Sequence, residues 1–124
     1  MKHCLIVDDS PIIRQVARLI FEALDFRVSE AETGLEAMER VQADAPDFVF
    51  VDWMIPGTNV HELIAEIRKS TTAVLPRTFI LYVTTENDTA DLKAAFRAGA
   101  DDYLLKPFNR EIVEMKLHQI RVAA

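Results

Sequence analysis

The chain is 124 residues long, half of them hydrophobic, with one cysteine and a formal net charge of -6. That length fits one domain, 1–124, able to bury a core without disulfides or a structural metal. A lone cysteine excludes an internal disulfide framework and fits a cytoplasmic protein. The acidic balance argues against a nucleic-acid or anionic-membrane surface, which need clustered Lys and Arg. No stretch approaches the ~20 apolar residues of a membrane span, and Met1-Lys2-His3 runs into an apolar segment too short for a signal peptide.

In chain order, short β-rich runs stand at Cys4–Val7, Phe26–Ala31, Phe48–Val51, Phe79–Val83 and Tyr103–Leu105. A segment with helical spacing follows each of them. Ile13, Val16, Ala17, Ile20 and Leu24 predict one face of the first helix. Ser10 before Pro11 predicts its start, a hydroxyl cap followed by proline where the missing N–H costs nothing. Thr33 and Glu36 form a capping-box pattern for the second helix, and Asn59 and Asn109 suit the caps of the third and fifth. The third helix carries Val60, Leu63, Ile64 and Ile67, and the fifth Val113, Leu117 and Ile120. Gly99 is placed to end the fourth.

The runs at 4–7, 48–51 and 79–83 are apolar on both faces, as strands covered by helices on each side must be. The run at 26–31 alternates like an edge strand. Strict alternation of strand and helix predicts an α/β domain, a doubly wound parallel sheet with right-handed crossovers.

In such sheets chemistry gathers at the carboxyl ends of the strands. Asp8 and Asp9 end the first, Asp52 the third, Thr84 and Thr85 the fourth, and Lys106-Pro107 the fifth. Three carboxylates crowded together either raise their pKa values or recruit a cation. An all-oxygen set without His or Cys suits a hard divalent ion, most simply Mg²⁺. Mg²⁺ leaves positions open for a phosphoryl group that a carboxylate attacks as nucleophile, with a lysine and a hydroxyl stabilising the oxygens. Taken singly, Asp8-Asp9 reads equally well as helix N-terminal charge and Thr84 as β-propensity.

Asp8-Asp9-Ser10, Asp52 followed by Pro56-Gly57, Val83-Thr84 and Tyr103-x-x-Lys106-Pro107-Phe108 resemble the response-regulator receiver signature over residues 2 to about 120. The resemblance is to the chemotaxis, CheY-like type, and implies a flavodoxin-like (βα)5 fold with strand order 2-1-3-4-5. It implies Asp52 as phosphate acceptor, Mg²⁺ held by Asp9, Asp52 and the carbonyl of Met54 with Asp8 acting through water, and Lys106 paired with a phosphate oxygen. Thr84 and Tyr103 would switch on phosphorylation, and Lys106-Pro107 would be cis. The implied donor is a histidine kinase or histidine phosphotransfer protein, and the output a protein contact, as in flagellar-motor control or a phosphorelay. The resemblance ends just past the fifth helix, implying no output domain, no turnover enzymology, and a monomer or weak dimer.

The sequence departs from the usual pattern at Met54-Ile55, Thr58-Asn59-Val60 and Thr85. Met54, Thr85 and Glu86 then stand where water and phosphatases approach. Leu92 and Phe96, with Tyr103, are expected to form a partly exposed partner patch, since the stripe of Ala90, Ala94 and Ala98 competes for the sheet. Trp53 is expected half-buried beside the site, Cys4 buried, Arg68-Lys69 solvated, and His3, His61 and His118 surface or satisfied.

Three alternatives remain. A haloacid-dehalogenase-type phosphatase needs two aspartates two apart on the first strand, whereas these are adjacent. A flavodoxin-like cofactor binder would meet Asp8-Asp9 where its phosphate sits. A receiver-like module that works without phosphorylation is disfavoured by the intact acid and lysine set.

Overall fold

The structure is a computed structural model and describes residues 2–73, 77–85 and 88–123, with side chains as far as residue 119. The strands are β1 (His3–Val7), β2 (Arg27–Ala31), β3 (Phe48–Asp52), β4 (Phe79–Thr84) and β5 (Asp102–Leu105). The helices are α1 (Pro11–Ala23), α2 (Gly34–Ala43), α3 (Val60–Thr71), α4 (Thr89–Ala98) and α5 (Arg110–Ala123). All strand pairs are parallel and the order is β2-β1-β3-β4-β5, the flavodoxin-like arrangement.

Successive strand residues point to opposite faces, and each face has its own core. Leu5, Val7, Val49, Val51, Ile80 and Tyr82 pack with α2, α3 and α4 through Val41, Ile64, Ile67 and Leu92. Cys4, Ile6, Phe48, Phe50, Leu81 and Val83 pack with α1 and α5 through Ala17, Phe21, Val113 and Leu117. Two-sided burial of β1 and β3 explains their unbroken apolar runs, and edge position explains the alternation in β2.

The helix starts are those the caps predict. Ser10 Oγ accepts from Ile13 N at 3.3 Å, Thr33 Oγ1 from Glu36 N at 3.1 Å, Asn59 Oδ1 from Glu62 N at 3.1 Å and Asn109 Oδ1 from Ile112 N at 2.9 Å. Gly99, at φ 128°, ends α4.

Three expectations need correcting. Val16 is not on the inner face of α1: it is 41% exposed, and Phe21 is buried in its stead. Neither expected stripe of α4 faces the sheet as a whole. Leu92 and Ala95, one turn apart, are its buried pair, Ala90 is exposed, and Phe96 lies at the rim. Arg68 is not solvated: its guanidinium donates to the Thr78 and Gly99 carbonyls and to Asp101, tying α3 to the start of β4 and to the turn between α4 and β5. His3 is the satisfied rather than the surface kind of histidine expected: it is buried in β1, its Nε2 2.7 Å from Ser29 Oγ. Ile120 and Glu86 lie outside the residues whose side chains are described. Among the described residues no helix is long and apolar enough to cross a membrane.

Candidate functional site

The carboxyl edge of the sheet brings Asp8, Asp9 and Asp52 together, one carboxylate oxygen of each lying within 4.8 Å of the others. Asp8 and Asp52 are buried, while Asp9 is exposed at the mouth. Asp52 sits at the end of β3 because the strand's last peptide remains in the ladder: Trp53 N donates to Val83 O at 2.8 Å. Beyond it the chain turns at Gly57, which takes φ 74°, and closes with Thr58 N on Ile55 O at 3.0 Å. The loop is pinned to α2 where Gly34 N donates to Thr58 Oγ1 at 3.3 Å. Met54, whose side chain is exposed, turns its backbone N–H toward the Asp52 carboxylate.

Lys106 arrives from β5. Its N–H donates to Thr84 O at 2.8 Å, and the Lys106–Pro107 peptide is cis, as the resemblance implied. Phe108 packs on Phe50 with ring centroids 5.3 Å apart. The ammonium so directed lies 2.6 Å from Asp52 Oδ1 and 3.4 Å from Asp8 Oδ2. Thr84 is buried at the end of β4, beside Leu105 of β5.

Burial pushes the Asp52 carboxyl above its ordinary range and the Asp8 charge adds to this, against the pull of Lys106 and the Met54 N–H. Burial alone would lower Lys106, but the Asp52 and Asp8 carboxylates outweigh it and its pKa rises. The rise at Lys106 reflects the two carboxylates around it, whereas the rise at Asp52 reflects burial first and the Asp8 charge second. Counted formally, three carboxylates and one ammonium leave a charge of minus two, the balance a divalent cation supplies. Oxygen donors converging from three carboxylates, with charge beyond what the one ammonium offsets, fit a hard ion such as Mg²⁺.

Other expected residues lie further out. The Tyr103 ring is half-buried between α4 and α5, edge-on to Phe96 at 6.4 Å and under Lys116 Nζ at 5.0 Å. Phe96 is 41% exposed and Tyr103 half-buried, but Leu92 is only 8% exposed, so Leu92 belongs to the core and not to the partly exposed surface expected of it. Trp53 is half-buried against the α2–α4 core.

Sequence reasoning missed Arg14. From α1 its Nη1 donates to the Asp8 carbonyl at 2.7 Å and its Nε to Glu30 Oε1 at 3.0 Å. The sequence offered no signal to single it out, since α1 carries both Arg14 and Arg18. Sequence reasoning also missed the bridge from Tyr82 to Asp91, where the hydroxyl donates at 2.8 Å.

Comparison with known proteins agrees with this geometry. The response regulator receiver domain matches residues 4–118. The transcriptional regulatory protein CseB of Streptomyces coelicolor is 30% identical over 118 residues, covering 95% of this chain and 48% of that protein. The chain thus spans about half the length of the curated relatives it matches. Among solved structures, the chemotaxis protein CheY4 of Vibrio cholerae superposes with a TM-score of 0.88 at 29% identity, covering 96% of this chain and 98% of that one. The receiver domain of the sensor histidine kinase PA1611 of Pseudomonas aeruginosa, solved with a magnesium ion coordinated in its active-site cleft, superposes at 0.82 with 25% identity and 95% coverage of both chains. The chain belongs to the response regulator receiver domain family of two-component signalling, with CheY-like receivers as its structural neighbours.

Proposed function

We propose that Asp52 accepts a phosphoryl group from a phosphohistidine on a histidine kinase or histidine phosphotransfer protein, and that the chain signals through a protein contact that depends on this modification. One observation carries the reading: Lys106 Nζ, 2.6 Å from Asp52 Oδ1, in a carboxylate cluster that still has excess negative charge.

In the proposed step an Asp52 oxygen attacks phosphorus, the P–N bond breaks, and its electron pair leaves with the imidazole nitrogen. The product is an acyl phosphate on Asp52. Lys106 stands where it would pair with a phosphoryl oxygen, and the Thr84 hydroxyl would turn to another. Asp9, Asp52 and the Met54 carbonyl would hold Mg²⁺, with Asp8 acting through water. When bound, the ion would offset the charge on the transferring oxygens. Hydrolysis of the product would return the chain to its starting state, so it would act as a switch rather than a turnover enzyme. Tyr103 and Phe96 would carry the change to a downstream partner.

Trp53, the sole tryptophan in the sequence, adjoins Asp52 and serves as the probe. Mg²⁺ is titrated, a small phosphodonor follows, and intact mass is read alongside the fluorescence, in wild type and Asp52→Asn. The expected result is Mg²⁺-dependent gain of one phosphoryl mass in wild type alone. No mass gain in wild type, or an equal gain in Asp52→Asn, would overturn the assignment.

A further inference from the structure

The Asp8 carbonyl belongs to the peptide that joins Asp8 to Asp9, and peptide planarity means that fixing this carbonyl fixes the direction in which Asp9 leaves it. Arg14 Nη1 holds it at 2.7 Å. The guanidinium is anchored on β2 by Glu30 Oε1, 3.0 Å from Nε, with Glu32 Oε2 3.9 Å from Nη1. The Arg14 side chain is only 15% exposed, so it is confined rather than sweeping through solvent. The other side of Asp8 is tied to the same strand, its N–H donating to Ala31 O at 3.1 Å. Ser10 N donates to Asp8 Oδ1 at 2.9 Å. The backbone of the acid pair is therefore braced against β2 twice, directly and through Arg14.

We propose that Arg14 is a positioning residue for the divalent-cation site, orienting the Asp8–Asp9 peptide so that both carboxylates meet Asp52. This inference rests on the reading of the cluster as an Mg²⁺ site. It makes a prediction opposite to simple electrostatics. A guanidinium beside a cation site repels the cation, so its removal would tighten binding if charge were its only influence. If it positions the ligands, removal weakens binding, because groups supporting metal ligands typically contribute about 10–100-fold in affinity. Lysine keeps the charge but lacks the planar fork that spans the Asp8 carbonyl and Glu30 together.

The test is an Mg²⁺ titration by calorimetry and Trp53 fluorescence on wild type, Arg14→Gln, Arg14→Lys and Arg18→Gln. Arg18 is the control, since it shares Glu30 and reaches the Val28 carbonyl instead of Asp8. Thermal melts establish that each variant is folded. The expected result is an Mg²⁺ Kd raised about tenfold in Arg14→Gln, raised also in Arg14→Lys, and unchanged in Arg18→Gln. Unchanged or tighter binding by folded Arg14→Gln would overturn the proposal; should that variant not fold, Arg14→Lys decides on the same terms. Wild type that binds no Mg²⁺ would remove the reading of the site itself, which separates the two failures.

Discussion

Lys106 Nζ lies 2.6 Å from Asp52 Oδ1, closer than to the Asp8 oxygen at 3.4 Å, so one ammonium serves a carboxylate pair and leans toward the proposed acceptor. This gives Lys106 two opposed influences. As a cation it competes with Mg²⁺, and as a donor it stabilises charge on a transferring phosphoryl group. Lys106→Met should therefore tighten Mg²⁺ binding several-fold while slowing phosphorylation by a small donor about 100-fold or more. Parallel Mg²⁺ titrations and phosphorylation time courses check both signs. Weaker Mg²⁺ binding in the variant would show that Lys106 organises the carboxylates rather than competing at them.

Phe21 is the centre of the core between α1, α5 and the sheet. It is fully buried, with ring centroids 5.4 Å from Phe26, 5.3 Å from Phe48 and 6.1 Å from Phe50. Three aromatic neighbours cannot all collapse into the space it would leave. Phe21→Ala should lower unfolding stability by roughly 3–5 kcal/mol. Urea denaturation measures this, and a loss below about 1 kcal/mol would mean that the cluster repacks.

His3 makes stability depend on pH at the edge of the sheet opposite the acidic site. Burial is the main cause that holds its imidazole below the ordinary 6.5, with Arg27 adding and Asp44 and Asp47 opposing. A histidine held neutral in the folded chain is protonated first in the unfolded chain. Its contribution is thus complete above pH 6.5 and is lost as pH falls from there toward the folded value. One proton limits the slope to about 1.4 kcal/mol per pH unit. Denaturation midpoints of wild type should fall more steeply from pH 7 to 5 than those of His3→Gln, and parallel curves would contradict the assignment.

The four charged residues of the site were legible because each ends a strand, and parallel topology alone decides that strand ends converge. Faces of helices were less legible. In α1, Ile12, Ile13, Val16, Ala17, Leu19, Ile20 and Phe21 are all apolar, so spacing could not choose between arcs, and packing against β1 and β3 selects Ala17, Ile20 and Phe21. In α4, Leu92 and Phe96 look like one stripe, yet contact with α3 buries Leu92 and leaves Phe96 at the rim beside Tyr103. Arg14 and Arg68 were illegible for a different reason. Their partners are backbone carbonyls and carboxylates distant in sequence, which no local pattern marks.

Gly57 and Gly99 both take positive φ but differ in their surroundings. Gly57, at φ 74°, has nothing within 4 Å of where a Cβ would stand. Gly99, at φ 128°, would place its Cβ 2.9 Å from Arg68 Cβ and 3.0 Å from Arg68 Cγ. Those atoms are rooted in α3 and cannot swing aside without disturbing the guanidinium bonds to Thr78, Gly99 and Asp101. Gly57→Ala should cost roughly 1–2 kcal/mol of backbone strain alone. Gly99→Ala adds overpacking to strain, roughly 2–5 kcal/mol together. Urea midpoints of both variants test the order. A Gly99→Ala, Arg68→Gly pair isolates the clash, because only glycine removes the Arg68 Cβ as well as the Cγ: if steric contact with Arg68 contributes, the double variant loses less stability than the sum of the singles. Simple additivity would assign the whole loss to backbone strain.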